Sequence, residues 1–249
     1  MAQGTLLMSY YSPMRSHPKA NTYWLGIAIQ FAKQAEAHRY QTKREITHEQ
    51  RNILKRLWWC CILRDRILPL GVRKSIQIST LDFDFHTQTP LLLSDFESEI
   101  EASRVYDVIT KRALIQRLVA LSELAITLTE VIIILYPEKE AFAQLGQKDP
   151  SSAVRACKLE LNTWFEKTTV ICLTTPGLGE THESVLLYTN LMYIYYHSAL
   201  LALCNHEVLL ATTGLSSGGA GSNGLAQIYN TRRQIEDAIN GVSDRKSVV

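Results

Sequence analysis

The stretch Arg56-Leu57-Trp58-Trp59-Cys60-Cys61-Ile62-Leu63-Arg64-Asp65-Arg66 limits what this chain can fold into more than any other part of it. Read as an apolar helix, it carries two adjacent tryptophans that point about 100° apart. A helix that hides both rings must be packed on more than one side. Asp65 falls in line with Leu54, Leu57, Trp58, Cys61 and Leu68 on the apolar stripe. An ionised carboxylate persists there only if something pairs with it, and the cations nearest in sequence are Arg66, Arg73 and Lys74. The segment is therefore expected to be a central, enclosed helix.

Helical patterns surround it. From Asn21 to Tyr40, Trp24, Leu25, Ala28, Phe31, Ala32 and Ala35 recur at helical spacing, with Asn21 as the expected N-cap. Thr47-His48-Glu49-Gln50 matches a capping box that opens the double-tryptophan helix, and Pro69 and Gly71 are expected to close it. Between Ser75 and Pro90, Ile76, Ile78, Leu81, Phe83 and Phe85 suggest extended chain. Asp82, Asp84 and Pro90 leave no room there for a sheet, so the segment reads as one long ordered loop. Ser94 with Glu97 forms a second capping box, and the pattern from there to Tyr136 is too long for one helix, with a break expected near Tyr106-Asp107.

Beyond that break, Leu114, Leu118, Leu121, Ala125, Leu128, Ile132 and Leu135 keep the alternating spacing of a helix packed along another, until Pro137. Pro150 opens a further helix with Val154, Cys157, Leu161 and Trp164 on one face. Glu183 to Leu210 is apolar nearly all round and is expected to be the most buried helix. The expected fold is all-α: a multi-helix bundle with a central double-tryptophan helix and one long ordered loop. A domain over residues 1–210 is followed by a Ser/Gly-rich linker at 211–224, then by a terminal helix and tail at 225–249, with a docking partner inside or outside the chain left open.

Composition narrows the class. With 249 residues, 46% of them hydrophobic and 20% charged, the chain can bury a sizeable core without disulfide staples. A net charge of +2 gives no broad attraction to nucleic acid, and Lys43-Arg44, Arg73-Lys74, Lys111-Arg112 and Arg232-Arg233 read as solvated faces. Cys60, Cys61, Cys157, Cys172 and Cys204 are odd in number, lie in apolar helical contexts and never form Cys-x-x-Cys, so they read as reduced core residues of an intracellular protein. No zinc cluster can be built from them. Met1 to Met8 lacks a charged leader, and the start reads as a domain entered mid-helix.

The double-tryptophan run and its flanks resemble the fungal-specific transcription factor domain, the middle homology region of the zinc binuclear cluster regulators. Upstream, Trp24-Leu25-Gly26-Ile27-Ala28-Ile29-Gln30-Phe31-Ala32 followed by His38-Arg39 is similar to the family's Gly-x-Ala-x-x-x-Ala helix ending in His-Arg. Arg56, Trp58, Trp59, Asp65-Arg66 and then Gly71 continue the signature, with Ile76-Gln77-Ile78 as its short extended segment. The family usually follows its glycine with Arg-Pro, whereas Val72-Arg73-Lys74-Ser75 stands here. Ser94 to Pro137 and Leu186 to Leu203 resemble the cutinase-regulator branch, although Cys204-Asn205-His206-Glu207 replaces the usual His-Arg-Pro ending. The resemblance implies a regulatory domain in a nuclear setting, controlled through intramolecular contacts, partner proteins or a metabolite. It implies DNA contact only through a zinc cluster module that this chain lacks. No cofactor, enzymatic activity or membrane partner is expected for the chain itself, and its oligomeric state is left open.

Other motifs yield to plainer readings. Gly214-Leu215-Ser216-Ser217-Gly218 matches a hydrolase nucleophile elbow, and Gly219 to Gly224 a dinucleotide fingerprint, but neither follows a strand. Val185 to Cys204 is nearly long enough to span a bilayer, yet Thr189, Asn190, His197 and Ser198 interrupt it. The rival to a regulatory domain is a helical small-molecule binder or enzyme, with Tyr188, Asn190, Tyr193 and His197 lining its pocket. A hydrogen-bonded helical core explains the same residues.

Overall fold

The computed structural model describes residues 1–11, 20–85, 88–137, 150–174, 182–216, 231–237 and 239–240. Among them the chain is helical without strands: α1 (Ala2–Met8), α2 (Ala20–Gln34), α3 (His48–Val72), α4 (Glu97–Glu101), α5 (Val108–Leu135), α6 (Pro150–Thr174) and α7 (Glu183–Ser216). Short 3-10 turns occupy Ala37–Arg39 and Leu93–Phe96, and residues 231–237 form a terminal helical segment. Two compact units divide the chain, Met1–Ile126 and Thr127–Val249.

In the first unit, α2 packs against α1 and α3. The core gathers Leu25, Ala28 and Ala32 of α2, Trp58, Trp59 and Ile62 of α3, and Ile78, Phe83 and Leu91 of the loop. Asn21 lies inside the first turn of α2 and is not its cap. That helix stops at Gln34, short of Tyr40, because Glu36 turns left-handed at φ 56° and the 3-10 turn follows. The capping box of α3 is present: Gln50 N donates to Thr47 Oγ1 at 3.2 Å and Thr47 N to Gln50 Oε1 at 3.0 Å.

The other end of α3 differs from expectation. Pro69 and Gly71 lie inside the helix, which closes at Arg73, left-handed at φ 54°, whose N–H donates to Pro69 O at 2.8 Å. Proline only removes the bond back to residue 65 and leaves the following carbonyls free for such a cap. Gly71 meets open space and has no positive φ, so neither crowding nor backbone conformation requires glycine there.

The segment after α3 is the expected ordered loop, with Ile76, Ile78 and Phe83 buried. Leu81 breaks the alternation and stands 98% exposed, because Asp82 accepts from the Ser79 N–H and hydroxyl and folds 79–82 into a turn. The Ser94–Glu97 box is replaced by Asp95, whose Oδ2 accepts from Leu92 N at 2.8 Å. α4 and α5 are separate, as expected of a break near Tyr106-Asp107. Asp107 Oδ1 caps α5 by accepting from Ile109 N and Thr110 N, both at 2.9 Å. In the seam of α5, Ala125, Leu128 and Ile132 are buried while Leu114, Leu118 and Leu121 are half-buried.

In the second unit α6 begins at Pro150 and packs on α7, burying Val154, Cys157, Leu161 and Trp164. α7 is not the most buried helix: Leu186, Leu187, Tyr188 and Leu209 are exposed, whereas every residue of α3 from Cys61 to Arg66 is buried. It also runs to Ser216, so 211–216 belong to the helix and not to a linker. Of the Gly-rich motifs, 214–216 fall in this last turn and 217–224 lie outside the described residues. Val108–Leu135, not Val185–Cys204, is the described helix long and apolar enough to cross a membrane, by length and composition only.

Candidate functional site

The signature residues of the first unit converge on α3. Trp58 is fully buried between His38, with ring centroids 5.6 Å apart, and the edge of Phe83 at 5.9 Å. Trp59, on the neighbouring side of the helix, meets Phe83 at 5.9 Å and Phe85 at 6.3 Å. Its indole Nε1 donates to Tyr40 Oη at 3.4 Å, and that hydroxyl donates to Thr89 O at 3.3 Å. The two rings thus fasten the loop from both sides. Gly26 serves the same junction. A Cβ there would lie 2.9 Å from Gln77 Oε1, and Gln77 Nε2 donates to Thr22 O across α2 at 3.3 Å. Ala28 is sealed in the core.

Asp65 is the polar centre. Its carboxylate accepts from Arg66 Nη1 at 2.5 Å, from Gln77 N at 2.9 Å and from Ile78 N at 2.9 Å, while Arg66 Nη2 donates to Ile78 O at 2.8 Å. Arg66 also lies over the Phe85 ring at 5.2 Å. The pair ties α3 to the extended segment where a strand would otherwise supply partners. Of the three candidate cations, Arg66 is the partner, while Arg73 serves as the exposed cap of α3. Burial pushes the Asp65 carboxyl up and the Arg66 guanidinium down, and their mutual attraction opposes both shifts. With its oxygens engaged and 1% exposed, Asp65 offers no reacting group to a substrate.

Lys55, Arg64 and Arg56 of α3 also reach outward, and sequence reasoning missed the first two. Lys55 Nζ donates to Asp95 Oδ2 at 2.6 Å, with both side chains nearly buried. Arg64 holds the end of α1, donating to Ser9 O at 2.5 Å and Ser9 Oγ at 3.2 Å while lying 4.1 Å over Tyr10. Arg56 donates to Glu99 Oε1 at 2.5 Å and covers Phe96. Arg64 interrupts the apolar run from Leu57 to Leu63, which signals that it needs a partner without saying which one.

The second unit carries the other candidate residues. Tyr193 and Thr169 hydroxyls lie 3.1 Å apart, and Phe165 meets Tyr193 edge-on at 5.3 Å. Phe165 also stacks on Tyr196 at 4.6 Å, with His197 at 6.1 Å, and Tyr196 Oη donates to Asn162 Oδ1 at 2.8 Å. Asn190 is buried on the same helix, and its Nδ2 has no partner among the described residues. Tyr188 does not join them; it is exposed. Further along, the buried Lys158, Glu207 and Thr231 and the exposed Gln234 are linked by hydrogen bonds between α6, α7 and the terminal helical segment.

Among the described residues zinc finds no fitting donor set. Among the described residues no three His, Cys, Asp or Glu side chains converge. All five cysteines are free, and burial pushes the thiols of Cys60 and Cys157 up to about 11 and that of Cys61 up to about 12, away from the thiolate a metal needs.

The model of the fungal specific transcription factor domain matches residues 1–166, which takes in the whole α3 network. The chain belongs to this family. It is 25% identical to cutinase transcription factor 1 beta of Fusarium vanettenii over 95% of this chain and 28% of that protein. It is 22% identical to a transcription factor of Fusarium pseudograminearum over 96% of this chain and 29% of that protein. A transcriptional regulatory protein of Schizosaccharomyces pombe shares 23% identity over 44% of this chain and 14% of its own length. The chain therefore spans less than a third of the curated relatives it matches, and no solved structure matches it. In this member of the fungal transcription factor domain family, Gly26, Ala28, His38, Trp58, Trp59, Asp65 and Arg66 lie at one packed and hydrogen-bonded junction around α3, while Gly71 stands in open space.

Proposed function

We propose that this chain is the regulatory domain of a nuclear fungal transcription factor, controlling transcription through contacts within the factor, with partner proteins or with a metabolite. The match to the family's domain over residues 1–166 carries the reading. The α3 network supports it: a saturated Asp65 and internally engaged Lys55, Arg56, Arg64 and Arg66 build a scaffold, with neither a reactive centre nor a free cation row. DNA readout then falls to a zinc cluster module, for which this chain's described residues hold no ligands, and catalysis is not part of the role.

Specific DNA recognition needs side chains set in a groove and backed by cations neutralising phosphates. Titration of the purified chain against a random-sequence duplex pool should give no binding, or weak sequence-independent binding that fades as salt rises. One enriched motif at physiological salt would contradict the division of labour. Fusion to a foreign DNA-binding module should in turn change transcription from that module's reporter. Asn190, buried on α7 with an unpartnered Nδ2 among the described residues, favours a small effector in this unit as one form of control.

A further inference from the structure

Threonines of α6 and α7 bond back to the preceding turn of their own helix: Thr163 Oγ1 donates to Leu159 O at 2.9 Å, Thr189 Oγ1 to Val185 O at 2.7 Å and Thr212 Oγ1 to Leu209 O at 2.9 Å. Thr168 does not, although it is 1% exposed, and its Oγ1 has no partner among the described residues. Asn190 Nδ2 is likewise buried and unpartnered among them. The two helices run antiparallel, since Lys158 meets Glu207, Asn162 meets Tyr196 and Thr169 meets Tyr193. Thr168 directly precedes Thr169 and Asn190 lies one turn before Tyr193, so the two groups sit at about one level of the pair. One turn further toward the same end, Ile171, Leu186 and Leu187 are exposed. The charged residues of this end, Glu166, Lys167 and Glu183, stand in solvent.

A buried polar atom without a partner costs stability, and two of them at one level point to a group that arrives from outside to satisfy both. We propose that this end of the α6–α7 pair binds a small uncharged molecule with an apolar body and one carbonyl or hydroxyl oxygen. The oxygen accepts from Asn190 Nδ2 and from the Thr168 hydroxyl, and the body covers Ile171, Leu186 and Leu187. Because the neighbouring charges lie in solvent, an ionised ligand would enter without a buried counter-charge. This inference rests on the effector reading given above and supplies the chemistry of that effector.

Apolar replacements of matching shape, Asn190→Leu and Thr168→Val, test the site in the full chain. Each removes an unpartnered atom, so each should raise the thermal midpoint by about 2 to 4 °C. Acetophenone, which carries the oxygen, should shift the Asn190 side-chain amide signals in magnetic resonance spectra of the isotope-labelled wild type. Ethylbenzene, a similar body without the oxygen, should leave them in place. Both variants should bind acetophenone about tenfold more weakly or worse, since each lacks one hydrogen bond to it. A lowered midpoint in either variant, no response to acetophenone, equal responses to the two molecules, or unchanged affinity in the variants would overturn the proposal. The fusion to a foreign DNA-binding module separates this failure from that of the regulatory reading: a reporter that still responds leaves the regulatory role standing without this site.

Discussion

Trp58 and Trp59 answer to different neighbours although they are adjacent: one lies against His38 and Phe83, the other against Phe83, Phe85 and the Tyr40 hydroxyl. Each change to Ala should cost about 3 to 5 kcal/mol, because truncating a buried tryptophan leaves a cavity that rigid surroundings cannot fill. Chemical denaturation checks this, and unchanged midpoints in both variants would remove α3 from the centre. Asp65→Asn should be similarly costly, about 3 to 5 kcal/mol, since it leaves Arg66 buried without its counter-charge. A double-mutant cycle should find strong coupling of Asp65 with Arg66 and none with Arg73.

At the scale of the element, the C-terminus of α3 carries an avoidable cost. Arg73 holds a left-handed φ that favours glycine, and Gly71 sits two residues early in helical backbone with open space around it. Arg73→Gly should gain up to about 1 kcal/mol after the entropy of glycine is subtracted. Gly71→Ala should gain about 0.5 to 1 kcal/mol in the same denaturation assay. Losses in both would show that the glycine is needed where the sequence placed it.

Two element starts were readable because their signals are local, the Thr47–Gln50 box and Pro150 acting within one turn, whereas Asn21 and the Ser94–Glu97 box matched a cap by residue type alone and proved not to be one. Ends were harder, since a cap at Arg73 depends on a conformation that an arginine does not advertise. The Asp65–Arg66 contact could be anticipated as one of three options, being adjacent in sequence. Ser9 with Arg64, separated by 55 residues, left no local trace, and neither did Lys158 with Glu207, separated by 49. α7 misled because apolar composition all round does not say which faces will be covered.

At the scale of the molecule, acid should act in two stages. Burial first, then Arg39, holds His38 below its ordinary value near 6.5, and burial does the same to His206 in the other unit. The unfolded chain therefore takes up protons that the folded chain resists. Stability from these groups is complete above pH 6.5 and is lost as pH falls through the folded values. Asp82, lowered chiefly by its bond to Lys33, is a depressed carboxylate whose contribution is lost at more acid pH, below the usual 3.8. Denaturation midpoints across pH should show both steps, and His38→Gln should weaken the first. A flat profile from neutrality to pH 5 would contradict the histidine step.

The reach of α3 has a consequence for biosynthesis. Lys55 waits for Asp95, 40 residues later, and Arg56 for Glu99, 43 residues later. At about 5 to 20 residues per second, a growing chain would display the double-tryptophan helix without its covering segments for about 2 to 8 s. During that interval the most apolar face of the first unit is open to chaperones and to neighbouring nascent chains, so its yield in the cell should depend on how quickly ribosomes cross the stretch from Arg73 to Glu99.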